Sequence, residues 1–234
     1  MKKITVLQYI YVVIVTLLVG IPAILAGSLQ RGLARKGRVF RIVSKVYARA
    51  LFGAFGVRVE SVGIDRIDPG APYVFMARHT SIADPLAVAL ALSHPLHFVF
   101  KREFARIPVF GWALTCLGQI VVDREDRDQA KASLDTAASG VSGNSSVVIF
   151  PEGRVSPDGA LQPLKKGGFH LALQTGFPIA PLRIEGARLV CPPRGSGHFH
   201  PGVIRVAVLP PIPVAGAKEG DIPALMESVR SLLL

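Results

Sequence analysis

No acidic side chain occurs before Glu60 in this chain of 234 residues. Ten of the 27 Lys and Arg lie in that acid-free stretch, leaving 17 to face all 16 acids in the remainder. The net charge of +11 therefore belongs to the N-terminal quarter, which argues against a nucleic-acid groove spread over the fold. Cysteine is nearly missing too. Cys116 and Cys191 stand in no C-x-x-C or metal-like spacing, so neither a disulfide framework nor a zinc site is expected, and a reducing compartment is the simpler setting. The absence of G-x-S-x-G removes the nucleophile elbow of serine lipases and thioesterases. There is also no internal repeat and no low-complexity tract, which excludes a solenoid.

Apolar residues, by contrast, are abundant. Half of the chain is hydrophobic and its mean hydropathy is +0.43, more than a water-soluble domain of this size needs. From Ile4 to Leu29 there is no charge, and only Thr5, Gln8, Tyr9, Tyr11, Thr16 and Ser28 are polar. About 20 apolar residues suffice to cross a bilayer core. The run can therefore span, or, if Gly20 and Pro22 break it, form a re-entrant or interfacial helix pair. A cleavable signal peptide competes, with Lys2 and Lys3 as its basic start and Ala26-Gly27-Ser28 near a cut. The basic sequence that follows at once behaves instead as a stop-transfer flank.

That flank is patterned. Arg31, Arg35, Arg38, Arg41, Lys45 and Arg49 recur every three or four residues, one stripe of a helix, beside an apolar face of Val39, Phe40, Val43, Val46, Tyr47, Ala50 and Leu51. This predicts a basic amphipathic helix on a membrane surface, with anionic lipid as its partner and the cytoplasmic face as its side. The plainer alternative is a surface helix docked on the domain with its charges in water. Residues 1–55 are accordingly read as a membrane-anchoring segment and 56–234 as the globular domain.

After Gly56, short β-branched runs alternate with helical stretches. Strands are expected over 57–62, 73–77, 96–100, 120–122, 147–150, 179–184 and 203–209, and helices over 84–92, 105–117, 127–140, 167–175 and 221–233. The alternation predicts an α/β fold, a sheet flanked by helices. In such folds chemistry gathers in loops at the carboxyl ends of strands. Four successive strand ends here deliver ionisable groups: His79, then Lys101 and Arg102, then Asp123 and Arg124, then Glu152 and Arg154.

The first of these loops, RHTSIADP at 78–85, has two readings. His79 and Asp84 can form a catalytic pair, or Asp84 can be the N-cap of a helix whose first residue is Pro85. Ser81 between them is more simply a hydrogen-bonding loop residue than a nucleophile. His198-Phe199-His200 lies in a Pro and Gly-rich loop without a nearby carboxylate, so no metal is expected there. His94, His97 and His170 read as packing or surface residues.

RHTSIADP, GQIVVDR at 118–124 and FPEGRVS at 150–156, in that order, resemble the blocks of the glycerolipid acyltransferase family, the 1-acylglycerol-3-phosphate acyltransferases and their relatives. KREFARIPVFGWAL at 101–114, LKKGGFHLAL at 164–173 and FPIAPLRI at 177–184 extend the likeness over about residues 72–184. The resemblance implies a mixed sheet flanked by helices and transfer of a fatty acyl group to the hydroxyl of a lysophospholipid acceptor, 1-acylglycerol-3-phosphate, giving phosphatidic acid. It implies acyl-CoA or acyl carrier protein as donor substrate, with no further cofactor. His79 would be the general base and Asp84 its orienting carboxylate. Arg124 would bind the acceptor phosphate, Glu152 and Gly153 would shape the glycerol phosphate site, and Lys101 would polarise the site or bind phosphate. Lys165 and Lys166 could contact coenzyme A phosphates or the acceptor.

Two positions depart from the family pattern. The family usually reads Phe-Pro-Glu-Gly-Thr-Arg-Ser, whereas Arg154 comes one residue early, which can turn its side chain to another face. Arg78 stands where Asn or Ser commonly precedes the histidine, and its charge would depress the His79 pKa or add an anion contact. The shifted arginine favours the alternative that another lysolipid, such as a lyso-ornithine lipid or a lysophospholipid, is acylated. A noncatalytic lysolipid-binding protein of the same fold is the remaining alternative, although mere binding needs no base.

Overall fold

The β-branched runs pair into one sheet of seven strands in the computed structural model, which describes residues 2–30, 33–141, 144–193 and 198–234. The strands are β1 (Val57–Val62), β2 (Val74–Ala77), β3 (Leu96–Lys101), β4 (Ile120–Val122), β5 (Ser146–Ile149), β6 (Ile179–Glu185) and β7 (Gly202–Val208). Their order is β1-β7-β6-β2-β5-β3-β4. β6, β2, β5, β3 and β4 run parallel, while β7 is antiparallel to β6 and carries β1 parallel to itself. The sheet is thus mixed.

Every residue of β2 and β5 is buried, as parallel strands covered on both faces require. Alternation assigns the two faces. Phe75 and Ala77 of β2 join one apolar cluster, and Val74 and Met76 join the other. The second cluster is covered by α6 (Arg127–Gly140), α7 (Gly167–Thr175) and α9 (Ile222–Leu233). The first is covered by α3 (Asp84–Ala91) and by two long N-terminal helices, α1 (Lys2–Leu29) and α2 (Leu33–Ala54). Between these stand α4 (Arg102–Ala105), α5 (Phe110–Cys116) and the short α8 (Ala187–Val190).

The helix expected over 105–117 is divided into α4 and α5. Pro108 offers no N–H to continue the first turn, and Val109 takes φ 61°, a conformation costly for a β-branched residue. A Cβ on Gly111 would lie 2.1 Å from the carbonyl oxygen of Phe104, so α5 folds back over α4 only because residue 111 is glycine.

The apolar run is one helix, continuous through Pro22, and its hairpin partner is α2 rather than its own second half. The two lie antiparallel: Tyr11 Oη donates to Ala50 O at 3.0 Å, and Thr16 Oγ1 lies 2.9 Å from Tyr47 Oη. At Gly20 and Gly27 the α1 backbone comes against Val109 and Cys116 of the α5 region, where an added Cβ would meet atoms at 2.6 and 2.8 Å. Phe40, Ala48, Leu51 and Phe52 of α2 are buried, with Ser44 among them, while Val46, expected on the apolar face, is exposed. Of the basic stripe, Arg35, Arg38 and Arg49 face outward, and Arg31 lies outside the described residues. Gly56, at φ 67°, turns the chain from α2 into β1, and Phe40 and Phe52 of α2 pack in the same cluster as the sheet.

Candidate active site

The parallel arrangement brings the ends of β2, β3, β4 and β5 to one edge of the sheet, so the loops bearing His79, Lys101, Arg124 and Glu152 meet. His79 Nδ1 lies 3.0 Å from Asp84 Oδ2. The same oxygen accepts from the backbone N–H of Thr80 at 2.7 Å and of Ser81 at 2.8 Å. Asp84 is the first residue of α3 rather than its N-cap, a place taken by Ala83, and its carboxylate caps nothing in its own helix. It faces back on the loop. Three donors meet on one oxygen of this buried side chain, and that convergence fixes the ring against the loop. With Nδ1–H donating to Asp84, the basic lone pair of a neutral ring sits on Nε2.

The His79 ring is 13% exposed and stacks on Phe150 with centroids 4.1 Å apart. A second fastening comes from the loop after β5. Glu152 Oε1 accepts from His79 N at 2.7 Å, Oε2 accepts from Gln162 N at 2.8 Å, and Ser156 N donates to His79 O at 2.7 Å. Glu152 is buried, and both of its oxygens are committed to backbone amides. It ties the histidine loop to the Pro-Glu-Gly turn.

Arg124 Nη1 donates to the carbonyl of Gly153, which sits at φ 72° in that turn. Partial burial pushes the Arg124 guanidinium below its ordinary value. His79 and Arg124 both line a cavity of about 380 Å³. The rest of its wall is almost wholly apolar and includes Val12, Val19, Phe40, Val43 and Leu51 of the two N-terminal helices, with Thr16, Ser44 and Tyr47 as the other polar members. A base and a cation at one apolar cavity can hold a molecule with an anionic head and a hydrocarbon chain, and remove a proton between them.

A sequence profile described as Acyltransferase matches residues 58–185. The chain belongs to the acyltransferase family. It is 33% identical over 182 residues to 1-acyl-sn-glycerol-3-phosphate acyltransferase alpha of Ovis aries, covering 77% of this chain and 63% of that one. To the chloroplastic 1-acyl-sn-glycerol-3-phosphate acyltransferase BAT2 of Brassica napus it is 31% identical over 202 residues, 86% of this chain and 57% of that one. The chain thus spans less than two thirds of the length of these relatives. The crystal structure of the 1-acyl-sn-glycerophosphate acyltransferase PlsC of Thermotoga maritima matches all of this chain and 95% of its own, with TM-score 0.77 at 23% identity, a likeness of fold.

The remaining expected site residues are placed less centrally. Lys101 Nζ pairs with Glu103 at 2.7 Å and stands 3.8 Å from Glu125; its hydrogen bond with Glu103 raises its pKa above the ordinary lysine value. Arg154 is exposed and reaches Gln162 Oε1 at 3.4 Å. Ser81 is fully buried, donates from Oγ to Cys191 O at 2.7 Å and accepts from Ala83 N. His198 Nδ1 lies 2.9 Å from Gln8 Oε1, and Gln8 Nε2 donates to Phe199 O, so this loop tethers α1. Sequence reasoning missed the cavity wall and α8, whose end supplies the carbonyl that holds Ser81. The 3.6-residue rhythm of α2 signalled its buried face, but nothing local shows that Thr16 meets Tyr47.

Proposed function

We propose that the chain transfers a fatty acyl group from acyl-CoA or acyl carrier protein to the free hydroxyl of 1-acylglycerol-3-phosphate. The observation that carries this reading is the His79–Asp84 pair on the wall of an apolar cavity that also holds Arg124. Its support from outside the chain is the printed activity of the relatives.

The acceptor's phosphate meets Arg124, whose fork suits a dianion, and a hydrocarbon chain lies in the cavity. His79 Nε2 takes the proton from the acceptor hydroxyl as its oxygen attacks the thioester carbonyl. Asp84 stabilises the imidazolium that results. The tetrahedral intermediate then collapses: the carbon–sulfur bond breaks, the new carbon–oxygen ester bond remains, and the thiolate leaves with the proton from His79. The serine is unavailable for a covalent route, since its hydroxyl is spent on Cys191 O.

The membrane side of the reading rests on α1 and α2. α1 turns Leu7, Ile10, Val13, Leu18, Ile21 and Leu25 outward, all at least 49% exposed, while its inner face is fixed to α2 and α5. This favours a helix pair lying in one leaflet over a span that leaves the domain. Burial and the neighbouring Arg41 and Arg49 push the Lys45 ammonium below its ordinary value, and no carboxylate is placed in ion-pair range of it among the described residues. Anionic lipid on the cytoplasmic face is the partner that crowding of this kind suits.

The exposed position of Arg154 favours a second reading, in which another lysolipid is the acceptor. Labelled oleoyl-CoA offered with lysophosphatidate, lyso-ornithine lipid and lysophospholipids separates the two. Labelled phosphatidic acid as main product is expected; transfer to water alone, or to none of them, would sink both.

A further inference from the structure

Lys165 lies beyond the Pro-Glu-Gly turn in sequence but returns to it in space. Its backbone N–H donates to Pro151 O at 2.8 Å, and its side chain then crosses Gly153. A Cβ built on Gly153 would stand 3.0 Å from Lys165 Cε and 3.1 Å from Nζ. Gly153 is also the residue whose carbonyl Arg124 meets. Two cations from different elements therefore converge on one backbone position, the Lys165 stem lying where a side chain at residue 153 would stand and Arg124 meeting the carbonyl of the same residue. Other cations nearby are already answered: Lys101 by Glu103, Arg102 by Asp123 at 2.9 Å. Lys165 is exposed and, among the described residues, has no carboxylate within ion-pair distance. Arg154, the turn's own arginine, points to Gln162 instead.

We infer that Lys165 is a phosphate-binding residue of this site, acting with Arg124 across Gly153 and supplying the charge that Arg154 does not deliver. The ligand chemistry is a phosphate monoester dianion, carried either by the glycerol phosphate head of the acceptor or by coenzyme A. The inference rests on the acyltransferase reading for its substrates, but its first test does not. Wild-type protein is treated with acetic anhydride with and without glycerol 3-phosphate or coenzyme A, and acetylation is read by mass spectrometry. Lys165 is expected to be protected by one of them while Lys166 is not; equal labelling of Lys165 in every sample overturns the proposal.

The second test is kinetic. Lys165→Met keeps the aliphatic stem over Gly153 and removes the charge, so a packing role would survive it. The expected result is a KM raised about tenfold, the loss of roughly one charge-assisted hydrogen bond, with kcat within about threefold of wild type. Lys165→Arg should recover most of the loss. A rise for lysophosphatidate but not for monoacylglycerol assigns the contact to the acceptor, and a rise for acyl-CoA but not for acyl-pantetheine assigns it to the donor. Unchanged KM for both phosphate-bearing substrates, or an equal loss with phosphate-free ones, overturns the inference. A wild-type enzyme inactive on lysophosphatidate would fail the acceptor reading alone, because the acetylation result stands apart from it.

Discussion

At the scale of single residues, the pair RHTSIADP presents is resolved by where one carboxylate points. Asp84 could have capped α3; instead its Oδ2 gathers the His79 ring and two loop amides. The spacing fits that use: five residues let the loop curl so that its own N–H groups and the ring share one acceptor. Ser81 tests the distinction between catalysis and support. Ser81→Ala should cost about 1–3 kcal/mol in stability, because it leaves Cys191 O and Ala83 N without their partner. Acyl transfer should persist, measured on the fraction that stays folded. Loss of all turnover in a folded Ser81→Ala protein would reinstate the serine as nucleophile.

Among elements, the two N-terminal helices do more than lie beside the domain, since they build the wall of the cavity that His79 faces. Gly27 permits this by letting α1 rest on the Cys116 backbone, 2.8 Å from where a Cβ would be. Gly27→Leu should therefore lift α1 from α5, lowering the thermal midpoint and weakening acyl transfer while the fold around the sheet persists. Activity and midpoint equal to wild type would show that the docking carries no weight. The sheet was legible from sequence because its strands are short β-branched runs bounded by Gly, Pro and polar residues, and each strand lies within a residue or so of its expected bounds. The split at Pro108 and the fold-back at Gly111 were not, because they depend on Phe104 O lying above residue 111. The four strand ends were readable from the alternation of runs, whereas spacing left the His79–Asp84 stretch with two readings and only the family resemblance of the ordered blocks favoured the pair. The cavity was not, since it needs Thr16, Tyr47 and Phe110 to meet from three helices.

For the molecule as a whole, two buried histidines set a response to acid. His94 and His97 donate to the carbonyls of Asp68 and Gly118, and burial pushes both rings below the ordinary histidine value. The unfolded chain, with pKa near about 6.5, binds protons that the folded chain refuses, so stability is complete above about 6.5 and falls as pH drops from there. Thermal midpoints taken from pH 7.5 to 5.5 should decline, and His97→Asn, which keeps a donor toward Gly118 O, should flatten the decline; an unaltered slope would contradict the assignment. The central claim, that a histidine base held by Asp84 drives acyl transfer from a thioester to a lysolipid hydroxyl, has one most direct test. Purified wild type and His79→Ala are compared in one assay of labelled acyl transfer from oleoyl-CoA to lysophosphatidate, with circular dichroism to confirm the fold. Loss of a general base predicts a fall of about 10²-fold or more in kcat with the fold intact. Transfer at the wild-type rate by folded His79→Ala would contradict the account.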